Sequence, residues 1–537
     1  MKKNKSKIYG LLLGLIMVFA FCVRLTNITW SLDKDLGNWT SYPDEPYGYA
    51  AAFNFKPLSG EFRTSNWALI KGTFYYEVVG TVNDALEVSG FEDLIFGSSN
   101  SENSVHNNYL LGRFISLCFS MMIIFLIYLF CVKLFDNQKI GLLAAFTYAI
   151  FAHEIPWATL ITGDILATLL ALATVYLSIL SYRAKSRKYL FWAAVIAGLA
   201  VGTKYSLIAL AVPVALSLFL SNFKTWKSFD YLKVFNYGAG LILCFFVGLF
   251  IAVPDIIFHN GDFMQGLEAQ KRYQTGEFLD GVNQLPRFIF YFTNIMHHGI
   301  GLVLTILCLL GIVYFAWNQR RKKETWIIFS FILFYYLEIS LATWITTRYA
   351  LILMPFLAIL IGFMLVDLYK KISWKKSFVT VVLLLYIYNL AFFYNFIDMV
   401  LQPIAQEQFD RYQRENLNLS KDNPDIVFVL GYEDLFTYPV KTDFAARGLL
   451  LKEIEANPKI DVPGKYLLIS SFYLRNARRV EDKSMITFMD RLESGKEFKQ
   501  IKVFEKVPEF GNFFGKNIFY SNDLEIFFQK YYLYEKV

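Results

Sequence analysis

Residues 109–135 read YLLGRFISLCFSMMIIFLIYLFCVKLF, an apolar run that contains two charged side chains, Arg113 and Lys133. A membrane-spanning helix needs about 20 mostly apolar residues, so this run predicts a transmembrane helix. The composition agrees, since 55% of the 537 residues are hydrophobic and 18% are charged. Soluble domains carry about a quarter charged residues, and disordered chains are poor in apolar ones. A purely soluble enzyme and a disordered chain are both excluded.

Runs of this kind recur along the chain and predict a mainly α, polytopic membrane fold with about eleven transmembrane helices. The runs are Ile8–Leu25, Tyr109–Phe135, Ile140–Ile161, Ile165–Ser181, Tyr189–Val201, Leu207–Ser221, Leu232–Val253, Ile300–Trp317, Trp326–Ile345, Tyr349–Leu368 and Phe378–Val400. The fifth and sixth are short and are joined at Gly202-Thr203-Lys204. The first ends without a small-residue cleavage site, so we expect a retained anchor rather than a signal peptide.

The connections between these runs alternate in charge, which predicts the orientation. The N-terminus and five loops, at 133–139, 183–188, 224–233, 320–323 and 370–376, carry 21 Lys and Arg. Residues 30–108 carry 4 basic and 11 acidic residues. Because basic loops face the cytoplasm, we expect a cytoplasmic N-terminus and outer loops at 30–108 and 254–299. The net charge of +7 then reports membrane topology, and no nucleic-acid partner is implied.

A membrane domain at 1–399 is expected to be followed by a second domain at 400–537. The second segment has 20 basic and 21 acidic residues, which is too polar for a bilayer. Its strand-like runs Ile426–Leu430 and Tyr466–Ser470 precede a helix-like stretch at Met485–Leu492. We expect a small α/β or α+β domain outside the membrane. The five cysteines lie in or beside apolar runs and imply no disulfide.

Two adjacent carboxylates stand between prolines in Tyr42-Pro43-Asp44-Glu45-Pro46-Tyr47, within the first outer loop. Proline restricts its own backbone and that of the preceding residue, which suits side chains held in a fixed geometry. At a membrane surface such a carboxylate serves as a general base, a metal ligand or both. The alternative is structural, because acids favour the first turn of a helix and one is expected to start near Pro46. The dipeptide alone does not decide between the two.

The sequence from Tyr42 to Phe53 resembles the Asp-Glu motif of the polytopic GT-C glycosyltransferases. Within them it is similar to the protein O-mannosyltransferase-like branch (glycosyltransferase family 39-like), which also holds the aminoarabinose transferases of lipid A. Other segments agree with this family in order along the chain. They are Gly112-Arg113, Asp164 in Thr162-Gly163-Asp164, the turn Gly198–Ser206, His298-Gly299 and Arg348–Pro355. Each is a weak signal alone, but their order and their predicted location on one side of the membrane make the set specific.

The resemblance implies a membrane enzyme that moves a sugar from a polyprenyl-phosphate donor to an acceptor on the outer face, with inversion at the anomeric carbon. It implies that Asp44 is the general base and that Glu45 and Asp164 assist it. It also implies Asp44 and Asp164 as ligands of a divalent metal of unknown identity. The acceptor would be a glycan, a lipid or a protein.

Three cationic or polar side chains would bind the donor phosphate by this resemblance, namely Lys204, Arg348 and His298. Each has an ordinary alternative: a snorkelling lysine at the membrane interface, an interfacial anchor, and an interfacial hydrogen bond. Arginine suits phosphate because its guanidinium binds two oxygens at once. Glu338 is the one carboxylate deep in a predicted span, and we expect it to pair with a neighbouring helix.

Other functions remain open on the sequence. An oligosaccharyltransferase would use the same reaction with a larger, preassembled donor glycan. A transporter or flippase is less favoured, because transporters tend to show internal repeats and charges near the bilayer midplane, whereas the acids here concentrate in outer loops. His153 and Glu154 with Asp164 would be a metal site only if their spacing served one, and a polar span end is the simpler reading. Residue usage suggests a bacterial cell membrane protein.

Overall fold

Long apolar runs fold as helices in this chain because a helix pairs its own backbone N–H and C=O groups, as a bilayer requires. The computed structural model describes residues 2–30, 32, 44–91, 101–222, 231–275, 288–289, 291, 297–342, 347–401, 405–417, 426–430, 452–455, 465–470, 483–505 and 530–537. Within these ranges, nine helices are long and apolar enough to cross a membrane. They are Lys7–Leu25, Val105–Phe135, Asp164–Ala184, Tyr205–Asn222, Val234–Ala252, Leu302–Gln319, Lys323–Leu341, Arg348–Lys371 and Lys375–Asn395.

The nine helices coincide with nine of the eleven predicted runs, and the mainly α membrane fold is confirmed. The other two runs form shorter helices, Gln138–Ala149 with 12 residues and Arg187–Thr203 with 17. A 12-residue helix rises about 18 Å, well short of the roughly 30 Å hydrocarbon core. The chain after Ala149 leaves the helix, and every residue from Phe151 to Thr162 is buried.

Shorter elements connect the long helices. They are Glu45–Phe53, Pro57–Ser59, Asn66–Lys71, Phe74–Ser89, Glu154–Trp157, Asp255–Phe258, Asn260–Thr275, His297–Ile300 and Thr347–Leu353. Pro57–Ser59, Thr347–Leu353 and the first turns of Tyr205–Asn222 are 3₁₀ helix. Asn66–Lys71 begins with the Ser65 hydroxyl accepting from the Ala68 N–H, an N-cap that satisfies one of the free donors of the first turn.

The helix Met354–Lys371 forms the centre of the bundle, since twelve of its residues from Met354 to Leu365 are buried without a gap. By contrast, Tyr231–Ala252 is mostly exposed and contacts Arg187–Thr203 along one side. Small residues allow this second contact. A Cβ placed on Gly248 would lie 2.0 Å from the Val195 carbonyl oxygen, so only glycine fits. Close backbone approach through small residues is the usual way that membrane helices pack.

The described residues divide into two compact units, Met1–Ile28 with Tyr47–Phe278 and Asn283–Phe393, and Thr29–Pro46 with Leu279–Val282 and Tyr394–Val537. The second unit contains a five-stranded mixed sheet in the order β2-β1-β3-β5-β4. Its strands are β1 Ile426–Leu430, β2 Lys452–Glu455, β3 Tyr466–Ser470, β4 Phe498–Phe504 and β5 Tyr531–Lys536. β1 is parallel to β2 and β3, and β5 is antiparallel to β3 and β4.

Two helices accompany the sheet, Ala405–Asn416 and Lys483–Glu493. Phe409 and Leu417 pack with Leu468, Phe504 and Leu533 in a small apolar core, so the first helix covers one face of the strands. The strands predicted at Ile426–Leu430 and Tyr466–Ser470 are found with those bounds, and Met485–Leu492 lies inside a helix. The predicted small C-terminal sheet region is confirmed.

Candidate functional site

The ion pair between Asp164 and Lys204 is the centre of the candidate site. Asp164 is the first residue of Asp164–Ala184, and Lys204 directly follows the helix Arg187–Thr203. The Lys204 Nζ lies 2.5 Å from an Asp164 carboxylate oxygen, with side-chain exposures of 15% and 7%. Because the pair is nearly removed from water, each charge relies on the other.

Further charges surround this pair. The Lys204 ammonium lies 4.6 Å from the centre of the Tyr349 ring, within cation–π range. Burial lowers the pKa of Lys204; Asp164 opposes that change, and the positive charges of Arg348 and Lys71 add to it. Three cations therefore lie close enough to influence one another. Like charges gathered in a partly buried place favour an anionic ligand that would relieve their repulsion.

A close backbone contact brings Lys71 near Lys204. No sequence pattern predicts this contact. Gly72, with φ +115°, lies so near the helix end that an added Cβ would be 2.4 Å from the Thr203 carbonyl oxygen. The Tyr205 hydroxyl also donates to the Leu69 carbonyl at 2.8 Å. These contacts fix the end of Asn66–Lys71 beside residues 203–205, and so place a third cation that sequence reasoning missed.

Glu338 is the predicted intramembrane carboxylate, and its neighbouring cation is Lys204, with which it interacts electrostatically. One turn earlier on the same helix, the buried Tyr335 hydroxyl donates to the Tyr349 carbonyl at 3.1 Å. This bond holds Lys323–Leu341 against the 3₁₀ segment that carries Arg348. Asp164, Lys204 and Arg348, three of the six predicted site residues, thus come together, with Glu338 beside them.

Asp44 and Glu45 belong to the other compact unit, where they stand at a helix start. Asp44 is half-buried in the turn that precedes Glu45–Phe53, and Glu45 is the fully buried first residue of that helix. The expected helix start near Pro46 is therefore present, and acids there are stabilised by the partial positive charge of the helix N-terminus. A catalytic use of Asp44 stays a prediction.

His298 lies in the short helix His297–Ile300, and its side chain falls outside the described residues. The neighbouring Gly299 accepts a hydrogen bond from the His153 N–H at 2.7 Å. Gly299 also lies against the His153 side chain, where a Cβ would come within 2.9 Å. Gly112 and Arg113 also make packing contacts. Gly112 lies against the Ile161 side chain, and Arg113 donates a hydrogen bond to the Ile28 carbonyl.

Glu154 takes part in a different ion pair, with Arg24 of the first helix. Their closest atoms are 2.5 Å apart and both side chains are fully buried. Ser120 accepts from the Arg24 Nε at 2.8 Å and donates to Glu154 at 2.5 Å, which closes a ring of three side chains. Arg24 further donates to the Ala20 carbonyl at 3.2 Å. Glu154 is therefore engaged in packing the bundle, in line with the polar span end expected from the sequence.

No three or more His, Cys, Asp or Glu side chains gather in a way that would hold a metal ion, among the residues whose placement is described. Asp164 is instead engaged by Lys204.

A second acidic group lies at Glu77 and Asp255, with His259 bonded to Asp255 at 2.7 Å. Burial raises the pKa of Glu77 to about 8; the Thr73 hydroxyl opposes this change, and the Asp255 charge adds to it. No sequence motif signalled this group.

Residues from the predicted cytoplasmic loops meet at the ends of two spans that lie away from the candidate site. Asp164–Ala184 runs from the candidate site to Arg183, and Lys323–Leu341 runs back from Glu324 to Glu338. Arg183 bonds Glu324 at 2.9 Å and also the Lys133 carbonyl. The basic loops at 133–139, 183–188 and 320–323 therefore meet at one end of the bundle, and the Asp164 and Lys204 pair lies at the other.

Comparison with known proteins gives one family match and several structural resemblances. Residues 105–251 match the family of dolichyl-phosphate-mannose-protein mannosyltransferases. No curated protein matches the chain. An oligosaccharyltransferase from Archaeoglobus fulgidus, crystallised with zinc and sulfate, is similar at 13% identity and a TM-score of 0.48, over 86% of this chain and 68% of that one. ArnT from Cupriavidus metallidurans bound to undecaprenyl phosphate is similar at 12% identity and a TM-score of 0.48, over 88% of this chain and 95% of that one.

The matched range 105–251 contains Gly112-Arg113, Asp164 and the turn at Lys204, three of the segments on which the resemblance was drawn. The chain is a multi-pass membrane protein, and its resemblance to the GT-C glycosyltransferases, in the protein-mannosyltransferase-like branch, is confirmed.

Proposed function

We propose that this protein transfers a sugar from a polyprenyl-phosphate donor to an acceptor on the outer face of the cell membrane. The observation that carries the proposal is the cluster of Lys204, Arg348 and Lys71 around Asp164 at one end of the spans. Cations at the edge of a membrane suit a phosphate that is tethered to a lipid tail. The opposite end gathers the basic loops, which supports placing the cluster on the outer side.

The lipid carrier follows from this location. Nucleotide-activated sugars are cytoplasmic, so an enzyme acting outside needs a donor that the membrane itself delivers. The acceptor is a glycan, a lipid or a protein.

The reaction is a single displacement. The acceptor oxygen forms a bond to the anomeric carbon as the bond from that carbon to the phosphate oxygen breaks, and the electron pair leaves with the phosphate. Asp44 accepts the acceptor's proton, as the motif implies, and Glu45 assists it. Lys204 and Arg348 stabilise the charge that develops on the leaving phosphate, which is the electrostatic part of catalysis. One displacement inverts the anomeric centre.

Asp164 holds Lys204 in position in this scheme, and His298 is assigned to the donor phosphate on the strength of its motif. Asp44 and Asp164 as ligands of a divalent metal stay a prediction from the resemblance.

The base assignment is tested with Asp44→Asn. Loss of a general base lowers turnover by about 10²- to 10⁴-fold, and we expect a fall in that range, measured as label transferred from a panel of polyprenyl-phosphate sugars to membrane fractions. Glu61→Gln, an exposed acid on the same side of the first span, is the matched control and should transfer normally. Full transfer by an Asp44→Asn protein that inserts normally would show that Asp44 is not the base.

A further inference from the structure

Tyr47 and Trp67 form a stacked pair of aromatic rings. Tyr47 lies in the first turn of Glu45–Phe53, and Trp67 is the second residue of Asn66–Lys71. Their ring centres are 5.7 Å apart, and the ring planes differ by 22°. The buried Tyr76 ring meets Trp67 in an edge contact, also at 5.7 Å. Tyr47 keeps 42% exposure although Trp67 stacks on it, so an accessible ring is supported from behind by two others.

The chain at Tyr47 is fixed beside the segment that leads to Asp164. The next residue, Gly48, lies so close to that segment that an added Cβ would be 2.5 Å from the Ile161 carbonyl oxygen. The same Cβ would come within 3.0 Å of the Tyr76 ring, so only glycine fits there. Ile161 precedes Asp164 by three residues. One member of the stacked pair is therefore held near the acidic side of the candidate site.

The other member, Trp67, is tied to the cations of the site. Lys71 lies one turn further along the same short helix, and its Nζ is 5.9 Å from the centre of the Trp67 ring, within cation–π range. Gly72 follows, and its backbone lies against Thr203, the residue before Lys204. The stacked pair thus stands directly beside the cations that we propose to bind the donor phosphate.

The chemistry of this place suits a sugar ring. The face of an aromatic ring carries partial negative charge, and one face of a pyranose presents C–H groups that are weakly positive. In a glycosyl phosphate the sugar is bonded directly to the phosphate, so cations that hold the phosphate hold the sugar within one ring width. Tyrosine and tryptophan also anchor proteins at the membrane interface. That use requires only exposure, whereas this pair is fixed to the segments that carry Asp164 and Lys204.

We propose that the Tyr47 and Trp67 pair stacks against the sugar ring of the lipid-linked donor, while the cations beside it bind the donor phosphate. This inference rests on the proposed function and names a sugar subsite for it. The pair adds affinity for the loaded carrier and none for the carrier that has lost its sugar. Release of the spent lipid is thereby favoured after transfer.

The experiment compares binding of four lipids to the full-length protein in detergent: undecaprenyl phosphate and its glucosyl, mannosyl and galactosyl esters. The wild type should bind at least one glycosyl ester more tightly than the bare phosphate. Tyr47→Leu should weaken binding of that ester by about 2- to 10-fold, the usual contribution of aromatic stacking, with bare undecaprenyl phosphate bound as before. Trp67→Leu, which removes the support, should give the same pattern. Tyr47→Phe keeps the ring and should bind all four lipids normally.

Trp374→Leu is the matched control, an exposed tryptophan in the basic loop 370–376, and it should bind all four lipids as the wild type does. The inference is overturned if Tyr47→Leu and Trp67→Leu leave the glycosyl ester affinity unchanged, or lower it no more than the affinity for the bare phosphate. Equal binding of all four lipids by the wild type overturns it too. Failure of the wild type to bind any of the four would instead overturn the proposed function, so the two failures are distinguishable.

Discussion

Arg24 with Glu154 and Lys204 with Asp164 are two buried ion pairs in one membrane bundle, and they are built differently. In the first pair both side chains have no exposure, and Ser120 closes a ring with them. In the second, Lys204 keeps 15% exposure and shares its surroundings with Arg348, Lys71 and Glu338. The first pair is closed off by its own three side chains, whereas the second keeps partial exposure and lies among further charged groups.

On the proposed function, this difference separates a structural use of charge from a functional one. A closed ring joins the first span, the helix Ser101–Phe135 and the segment after Ala149, and offers nothing to a ligand. The open pair at Lys204 has further cations nearby, partial exposure to solvent and an aromatic ring against its ammonium. Burial alone therefore does not mark a site in this protein.

The largest expected effect comes from opening the closed ring with Arg24→Met. This change strands the Glu154 carboxylate in a fully buried place, and removing one partner of such a pair costs about 3–5 kcal/mol. We expect low yield and a clearly reduced unfolding temperature in detergent. Arg24→Met combined with Glu154→Met should recover much of the loss, because an apolar pair of similar volume is often neutral. An unchanged unfolding temperature for the single variant would contradict a structural role for the Arg24 and Glu154 pair.

The next effect concerns the open pair and separates activity from stability. Lys204→Gln should lower sugar transfer by about 10²- to 10³-fold, the usual loss when one charge-stabilising group is removed from a transition state. Its unfolding temperature should fall less than that of Arg24→Met, because partial exposure lets water reach Asp164. Lys56→Gln, which removes the half-exposed partner of Glu87, is the control and should leave transfer unchanged. Normal transfer by a folded Lys204→Gln protein would show that Lys204 does not take part in sugar transfer.

The smallest effect tests the aromatic contact of the open pair. Tyr349→Leu removes the ring over Lys204, and a cation–π contact contributes about 0.5–2 kcal/mol. We expect the KM for the lipid donor to rise about 2- to 30-fold with little change in kcat. Tyr349→Phe keeps the ring and should restore the KM. If both variants weaken donor binding equally, the hydroxyl matters and the ring contact does not.

The membrane fold was predictable because apolar run length is a direct physical requirement of the bilayer. The strands at Ile426–Leu430 and Tyr466–Ser470 were also predictable, since short β-rich runs between polar segments have few other uses. Of the two runs that form shorter helices, 140–161 departs further from its prediction. Its length indicated a span, but the structure gives the helix Gln138–Ala149 followed by a buried, mostly non-helical segment. Hydropathy does not distinguish contact with lipid from contact with protein.

The candidate site was predictable only where a charged residue stands at the end of an apolar run. Asp164, Lys204 and Arg348 are of this kind, and they meet because their run ends share one end of the bundle. Lys71 was missed, since its place depends on a backbone contact between Gly72 and Thr203 that no local pattern encodes. Glu338 was singled out by its location in a span, but its neighbour Lys204 belongs to a distant part of the chain.

The run 140–161 also bears on how the protein is made. During synthesis, the insertion machinery sorts segments by hydropathy and length, and it meets here a 22-residue stretch that qualifies for lateral release into lipid. In the folded protein, the first ten residues of that stretch belong to the helix Gln138–Ala149, and the remainder folds into the interior. We therefore expect folding to withdraw this segment from lipid after insertion. Substitutions in Phe151–Thr162 that raise hydropathy would ease the first event and hinder the second.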